Sequence, residues 1–318
     1  MSVLYLTEAD VRGLLTMELA LPAVESAFRK LSLDEATNVP RQRCQTDHVM
    51  LHVLSAASKT LGAIGFKAYT TGAFGAKFHV HLFDPKTGEM TAIIQADYLG
   101  QVRTGAATGV ATKKLAKPDA KTVGILGAGL QARTQLEAIG NVRSIASAKV
   151  YSPTESNRVA FANEMATLCG FSVEAVATAE EAVRGADIVA TATTSREPVL
   201  KGAWLSEGCH VNLAGSNFLA KAEADAEVFR RASLIVADSK EQAKAEAGDF
   251  VAAMKDGVFG WSEVTDLCHI LTGRYPGRAS LADVTVFKSL GLGIQDIAVG
   301  VKVWELAKQR GVGREIDF

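Results

Sequence analysis

The chain has 318 residues, 48% of them hydrophobic and 22% charged, with a formal net charge of -1. That length suffices for two domains, each with its own core, and the composition is that of a soluble globular protein. The near-neutral charge gives no general drive toward nucleic acid or an anionic membrane, and no apolar run approaches the roughly 18 residues of a membrane helix.

The first residues, Met1-Ser-Val-Leu-Tyr-Leu-Thr-Glu8, lack the basic start and long apolar stretch of a signal peptide. Residues 7–10 and 17–31 carry helical patterns. Strand patterns follow at 50–54, 65–70, 79–83 and 90–96, with Asp84-Pro-Lys-Thr-Gly88 as a turn between two of them. This is an α+β segment rich in antiparallel hairpins, and residues 100–115 return to a helical pattern.

From about residue 121 to 290 the pattern alternates between short apolar strands and helices. Strand 122–126 runs into Gly127-Ala-Gly-Leu-Gln-Ala132, and a helical stretch, 133–139, follows. Further strands are expected at 148–152, 171–176, 187–194, 210–214 and 234–237. Helices are expected at 159–169 and 222–231, and another from Thr178-Ala-Glu-Glu181, which has capping-box spacing. Such alternation implies right-handed crossovers and a parallel, doubly wound sheet. Residues 294–309 form an amphipathic helix after the strands are used, and the simplest arrangement returns it to the N-terminal segment. Cys44, Cys169, Cys209 and Cys268 are scattered, which reads as reduced, buried thiols of a cytoplasmic protein and argues against disulfides.

Strand, Gly-x-Gly-x-x-Ala and helix in that order form the dinucleotide-binding fingerprint. Gly127 permits the tight turn, and Gly129 lets backbone N–H groups approach a pyrophosphate. Ala132 lets the helix sit close to the strand, so the positive helix end faces the phosphates. An NAD site usually has Asp or Glu at the end of the second strand. This chain has Tyr151-Ser-Pro-Thr154 with no acid before Glu155. Ser152, Thr154 and Arg158 could hold a 2′-phosphate, which tilts the NAD(P) reading slightly toward NADP.

A dinucleotide fold needs a substrate site, and the N-terminal segment is the unassigned part large enough to supply one. Lys67 and Arg103 stand among uncharged neighbours, and Arg41 and Arg43 flank Gln42 after Pro40. Cations of this kind suit a carboxylate, Arg through bidentate hydrogen bonds and Lys as a point charge. Each could equally be a surface residue or structural ion pair, and for Arg41 and Arg43 taken singly that reading prevails. His52 reads as an acid/base group of near-neutral pKa or as a hydrogen-bonded strand residue. His79 and His81 share a strand face but have no third ligand at sensible spacing, so no metal is expected. Motifs of serine hydrolases, zinc proteases and P-loop enzymes are absent from the sequence.

Five segments together resemble the ornithine cyclodeaminase/mu-crystallin family, which includes an archaeal-type alanine dehydrogenase and ketimine reductases. They are Leu99-Gly-Gln-Val-Arg-Thr-Gly-Ala-Ala107, Gly127-Ala-Gly-Leu-Gln-Ala132, Asp187-Ile-Val-Ala-Thr-Ala-Thr-Thr194, Gly208-Cys-His-Val-Asn-Leu-Ala-Gly215 and Val286-Phe-Lys-Ser-Leu-Gly-Leu-Gly-Ile-Gln-Asp296. The resemblance covers nearly the whole chain. It implies a Rossmann domain at 117–291 and a discontinuous α+β domain, 1–116 with 292–318, that binds substrate and builds a homodimer. It places the substrate carboxylate on Arg41, Lys67 and Arg103, with Arg43 replacing Arg41 if the alignment slips by two. The implied activity is NAD(P)-dependent hydride transfer to or from the α-carbon of an amino acid or its cyclic or acyclic imine, keto acids being the related substrates. Thr194 and Ser195 would approach the nicotinamide ribose, Ser152 and Thr154 the adenosine ribose. Lys67, Asn217 and His52 are the catalytic candidates, Asn217 orienting the α-nitrogen or a water and His52 carrying a proton. Ornithine cyclodeaminases place an Asp where this chain has Asn217 and a Glu where it has His52. An unpaired distal ammonium would be costly to bury, which argues against ornithine cyclisation. That reaction, and NADP or small-ligand binding without turnover as in mu-crystallin, are the alternatives.

Overall fold

The computed structural model describes residues 2–317 and divides into two compact units, Met1–Arg103 with Gly291–Phe318, and Thr104–Leu290. The first unit begins with β1 (Ser2–Leu6), α1 (Glu8–Leu14) and α2 (Met17–Ser32). Thr7 starts α1 through a capping box: its hydroxyl accepts the Asp10 N–H while the Asp10 carboxylate accepts the Thr7 N–H. Along α2, Met17, Ala20, Val24, Ala27 and Phe28 form the buried stripe expected of an amphipathic helix.

Strands β2 (Ala36–Asn38), β3 (Gln42–Gln45), β4 (Val49–Ser58), β5 (Ala63–Gly72), β6 (Gly75–Phe83) and β7 (Met90–Gln95) follow. They lie in the order β7-β6-β5-β4-β2, with β3 also on β4, and all these pairs are antiparallel. The ladder between β4 and β5 continues through the small residues Ala56, Ala57 and Ser58, so these strands outrun the apolar pattern that signals them. β1 pairs with β7 in parallel, a strand that the sequence pattern does not reveal. Helix α3 (Asp97–Leu115) comes next, and the division between units at Arg103 falls inside it.

The second unit runs β8 (Thr122–Leu126), α4 (Leu130–Val142), β9 (Ser147–Tyr151), α5 (Glu155–Cys169), β10 (Ser172–Ala175), α6 (Ala179–Val183), β11 (Ile188–Thr191) and β12 (His210–Leu213). It continues with α7 (Ala226–Arg230), β13 (Ala232–Ala237), α8 (Lys240–Glu246), α9 (Gly248–Lys255), β14 (Val264–Asp266), α10 (Leu267–Leu271) and β15 (Val284–Lys288). The strands form one parallel sheet in the order β10-β9-β8-β11-β12-β15-β13-β14. Apolar clusters cover it, one around Val123, Leu136 and Phe161, another around Val211, Phe229 and Phe250. This is the doubly wound Rossmann sheet.

The elements of this unit depart from the sequence pattern at these points. The strand expected over 187–194 stops at Thr191, and residues after it leave the sheet. The helix expected over 222–231 spans only Ala226–Arg230, because Asp225 caps it and the Glu223 and Ala224 N–H groups donate instead to Asp249. β15, unassigned as a strand in the sequence, lies between β12 and β13.

The chain closes with α11 (Gly293–Arg310) and β16 (Arg314–Asp317). α11 packs on α2 and on one face of β4, β5 and β6, as its amphipathic pattern suggests, and β16 pairs with β1. Cysteine burial differs from expectation: Cys209 and Cys268 are buried, Cys169 is half-buried and Cys44 is exposed, all as free thiols. No helix among the described residues is long and apolar enough to cross a membrane.

Candidate active site

In the second unit the strand order reverses between β8 and β11, the point where open α/β sheets bind ligands beyond their carboxyl ends. A crevice of about 420 Å³ opens there, and Gly127, Ala128, Gly129, Ser152, Thr194 and Ser195 line it. The backbone explains the glycine at 127. Its φ is +108°, and a β-carbon there would stand 2.4 Å from the Ala192 carbonyl oxygen. Its N–H donates to the Tyr151 carbonyl at 2.8 Å, tying the turn to the end of β9. Gly129 is the N-cap of α4, no side chain caps that helix, and a β-carbon on Gly129 would meet no heavy atom within 4 Å. In the first turn of α4, buried Gln131 Oε1 has no hydrogen-bond partner. An open cradle of backbone N–H groups at a helix start fits the pyrophosphate of a dinucleotide.

Leu130, Gln131 and Ala132 form that first turn rather than the lining of the crevice, and Ala132 is buried against the sheet. Thr154 also stands apart: it is the exposed N-cap of α5, and Asn157 one turn on reaches the crevice instead. Arg158 donates to the Ser152 carbonyl at 3.1 Å, which holds its guanidinium beside that strand end.

In the first unit, alternation along the paired strands sets His52 and Leu54 of β4 on the buried face with Lys67 and Tyr69 of β5. Lys67, 3% exposed, donates to Asp296 Oδ1 at 3.0 Å. Arg103 donates through Nε to the same oxygen at 2.9 Å and through Nη1 to Gln295 Oε1 at 3.0 Å. Arg41 Nη2 donates to the Gly291 carbonyl at 3.1 Å, and a β-carbon on Gly291 would lie 2.5 Å from Arg103 Nη1. The segment 291–296, which includes the first turn of α11, therefore gathers Arg41, Lys67 and Arg103. The sequence shows the cations as lacking a nearby counter-charge, whereas Asp296, fully buried, supplies one across more than 190 residues of chain. Its signal was present in the Gln295-Asp296 pair that ends the fifth family-like segment, but charge near in sequence does not reveal charge near in space.

Burial lowers the Lys67 pKa to about 8; Asp296 opposes that shift, and Arg103 and Arg41 add to it. Of the two readings of His52, the hydrogen-bonded strand residue fits the structure, and a near-neutral pKa does not. Burial first, then Arg43 and Arg41, lowers it to about 4. Arg43 Nε donates to His52 Nδ1 at 3.2 Å, which leaves the ring proton on Nε2, 3.0 Å from Thr71 Oγ1. The ring stacks on Tyr69 with centroids 4.2 Å apart. His52 is thus a neutral, hydrogen-bonded strand residue at neutral pH.

Asn217 lies in the loop after β12, in the second unit. His79 and His81 occupy β6, His81 stacked on Phe66. A different trio, Asp266, Cys268 and His269, brings potential ligand atoms within 4.8 Å of one another, but the Asp266 carboxylate already accepts the Lys240 N–H and burial lifts the Cys268 thiol to about 12.

Residues 1–311 match the model of the ornithine cyclodeaminase/mu-crystallin family. Alanine dehydrogenase of Archaeoglobus fulgidus is 35% identical over 100% of this chain and 99% of its own. The Thermococcus litoralis Δ1-pyrroline-2-carboxylate reductase, solved with NADH and L-proline, is 35% identical and superposes with a TM-score of 0.94 over 99% of this chain and 100% of its own. An archaeal alanine dehydrogenase dimer with bound NAD is also 35% identical, with a TM-score of 0.94 over 100% of both chains. The chain belongs to the ornithine cyclodeaminase/mu-crystallin family.

Proposed function

We propose that the chain is an NAD(P)-dependent oxidoreductase acting between an amino acid and its cyclic or acyclic imine. The observation that carries this reading is the group of Arg41, Lys67 and Arg103 gathered on segment 291–296, beside a protein-wide fold whose relatives hold NAD or NADH. A dinucleotide held in the crevice would supply the hydride, two electrons, for an imine carbon as C=N becomes C–N. One proton completes the amine nitrogen.

The residues of this chain do the rest. Gly127, Ala128 and Gly129 with the start of α4 would hold the pyrophosphate, Ser152 would lie by the adenosine ribose, and Thr194 and Ser195 by the nicotinamide ribose. Arg41, Lys67 and Arg103 hold the substrate carboxylate, fixing the reacting carbon and drawing electrons from the imine. Lys67, with its pKa near 8, is an ammonium at neutral pH that can give up its proton, which suits it to serve the imine nitrogen. His52, neutral in this range, keeps Tyr69 and Arg43 in place instead. Asn217 orients the α-nitrogen or a water. With Asn217 and a neutral His52 where a distal ammonium would need carboxylates, imine reduction or amino-acid oxidation is favoured over ornithine cyclisation.

Ser152 lines the crevice with Arg158 bonded beside it, and no Asp or Glu is among the lining residues, which supports acceptance of NADP beside NAD. The face of the first sheet opposite α11 carries Val53, Ile64, Phe66, Ala68, Phe83 and Ile93 as half-buried or exposed apolar residues. A second copy of the chain is its occupant in our reading, and the existence of an archaeal relative solved as a dimer supports this. Free thiols and the metabolic relatives support a cytoplasmic enzyme.

The test is oxidation of NADH and NADPH with a panel of cyclic imino acids and of α-keto acids with ammonia. At least one should be reduced, with Arg103→Ala lowering kcat/KM by about a hundredfold. If the variant stays within about threefold, roughly 0.65 kcal/mol, the carboxylate assignment is wrong.

A further inference from the structure

The geometry points to Glu223 as a positioning residue that fixes the two loops at the inner end of the dinucleotide crevice. This rests on the proposal that the crevice holds a nicotinamide dinucleotide. Thr191, Leu213 and Lys288 are register neighbours at the carboxyl ends of β11, β12 and β15, and the chain leaves the sheet after each. Glu223, fully buried, stands over these ends. Its Oε1 accepts the Thr193 N–H at 2.7 Å and the Thr193 hydroxyl at 2.8 Å. Its Oε2 accepts the Thr191 hydroxyl at 2.8 Å and the Gly215 N–H at 2.7 Å. One carboxylate thus pins the loop after β11 with one oxygen and, with the other, joins that strand to the loop after β12.

The loops have no slack at this point. A β-carbon on Gly215 would lie 2.3 Å from Glu223 Oε1 and 2.4 Å from the Thr193 nitrogen. The Thr193 hydroxyl also accepts the Ser195 N–H at 3.3 Å, so the fixed stretch reaches Thr194 and Ser195 on the crevice wall.

Glu223 is itself anchored. The Asp249 Oδ1 accepts the Glu223 N–H at 2.6 Å, while Asp249 Oδ2 pairs with Lys288 Nζ at 2.7 Å. Lys288 Nζ also donates to the Ser216 carbonyl at 2.7 Å, returning to the loop after β12. All three charged groups are buried, which is expensive unless the surroundings hold them in one arrangement. Burial raises the Glu223 pKa, and Lys288 and the Thr193 donors oppose the rise. Loops carry function when a rigid scaffold positions them, and this network supplies that rigidity to residues 193–195 and 215–216.

Glu223→Gln is the informative variant, because an amide offers one acceptor oxygen where the carboxylate offers two, and its NH2 opposes two donors. Affinities for NADH and for ADP, which carries the adenosine half and both phosphates, are measured by calorimetry on the full chain. NADH affinity should fall about tenfold or more while ADP affinity stays within about threefold. A purely structural role would lower the melting temperature and leave the NADH-to-ADP ratio unchanged, and that result overturns the inference. If Glu223→Gln does not fold, Thr191→Val removes one donor from outside the crevice wall, and the same split, smaller, is expected; an unchanged ratio again overturns it. Wild-type protein that binds neither ligand would instead refute the cofactor reading, and the inference with it.

Discussion

Asp296→Asn tests the carboxylate site through a residue that lies behind it. The change keeps the side chain's shape and removes the charge that Lys67 and Arg103 share at 3.0 and 2.9 Å. Removing one partner of a buried ion pair costs about 3–5 kcal/mol, and here two cations, both under 9% exposed, lose it together. The second effect is on protonation. Burial, Arg103 and Arg41 lower the Lys67 pKa to about 8 and Asp296 raises it, so without Asp296 the ammonium becomes harder to keep. The proposed reduction uses the protonated form, so its rate falls as pH rises through that pKa. The kcat/KM profile for imine reduction, which reports the free enzyme, should have an alkaline limb near pH 8 in the wild type. In the variant the limb should move down by about one unit or more, each unit being about 1.4 kcal/mol. Denaturant unfolding measured beside it should show the stability loss. An unmoved limb with a loss below about 1 kcal/mol would refute the claim that Asp296 organises this site.

Four further outcomes are expected. His52→Gln should flatten the acid side of the stability profile: the wild-type group is neutral when folded down to about pH 4 but titrates at 6.5 when unfolded, so stability falls with pH across that window by about 3 kcal/mol. Denaturant midpoints against pH check this, and an equal slope in both proteins would contradict it. Gly127→Ala should abolish NADH binding in a fluorescence titration, given a φ of +108° and a β-carbon 2.4 Å from the Ala192 oxygen. Arg158→Ala should weaken NADPH by about tenfold and leave NADH nearly unchanged, the difference expected of one charge-assisted phosphate contact. Ile64→Lys, on the apolar sheet face, should shift sedimentation from dimer to monomer; an unchanged dimer would place the interface elsewhere.

The dinucleotide half was legible because its determinants are local. A strand, two glycines, an alanine and a helix start lie within a dozen residues, and each has a short-range reason to be there. Helix starts at Thr7 and Thr178 were equally readable, since a hydroxyl three residues before a backbone N–H is a local arrangement. In the first unit the proposed substrate site was legible only as a set of cations. What assembles them, Asp296 and the Gly291 carbonyl, lies far along the chain, and periodicity carries no information about such pairings. The same holds for Glu223, which looked like part of a helix because Ala and Glu favour helices. Asp249 takes its backbone N–H and the loops take its carboxylate, so tertiary hydrogen bonds overrode propensity. The sequence leaves two readings of His52 open for a related reason: burial beside two arginines sets its pKa, and neither burial nor proximity to Arg43 follows from alternation alone.

The most direct test is a crystal of the full chain grown with NAD and soaked with cyclic imino acids and with α-keto acids plus ammonia. The account predicts an organic carboxylate in contact with Arg41, Lys67 and Arg103, its α-carbon within about 3–3.5 Å of the nicotinamide C4. A ligand bound with none of those three side chains touching its carboxylate, or a dinucleotide seated away from Gly127 and Gly129, would contradict it.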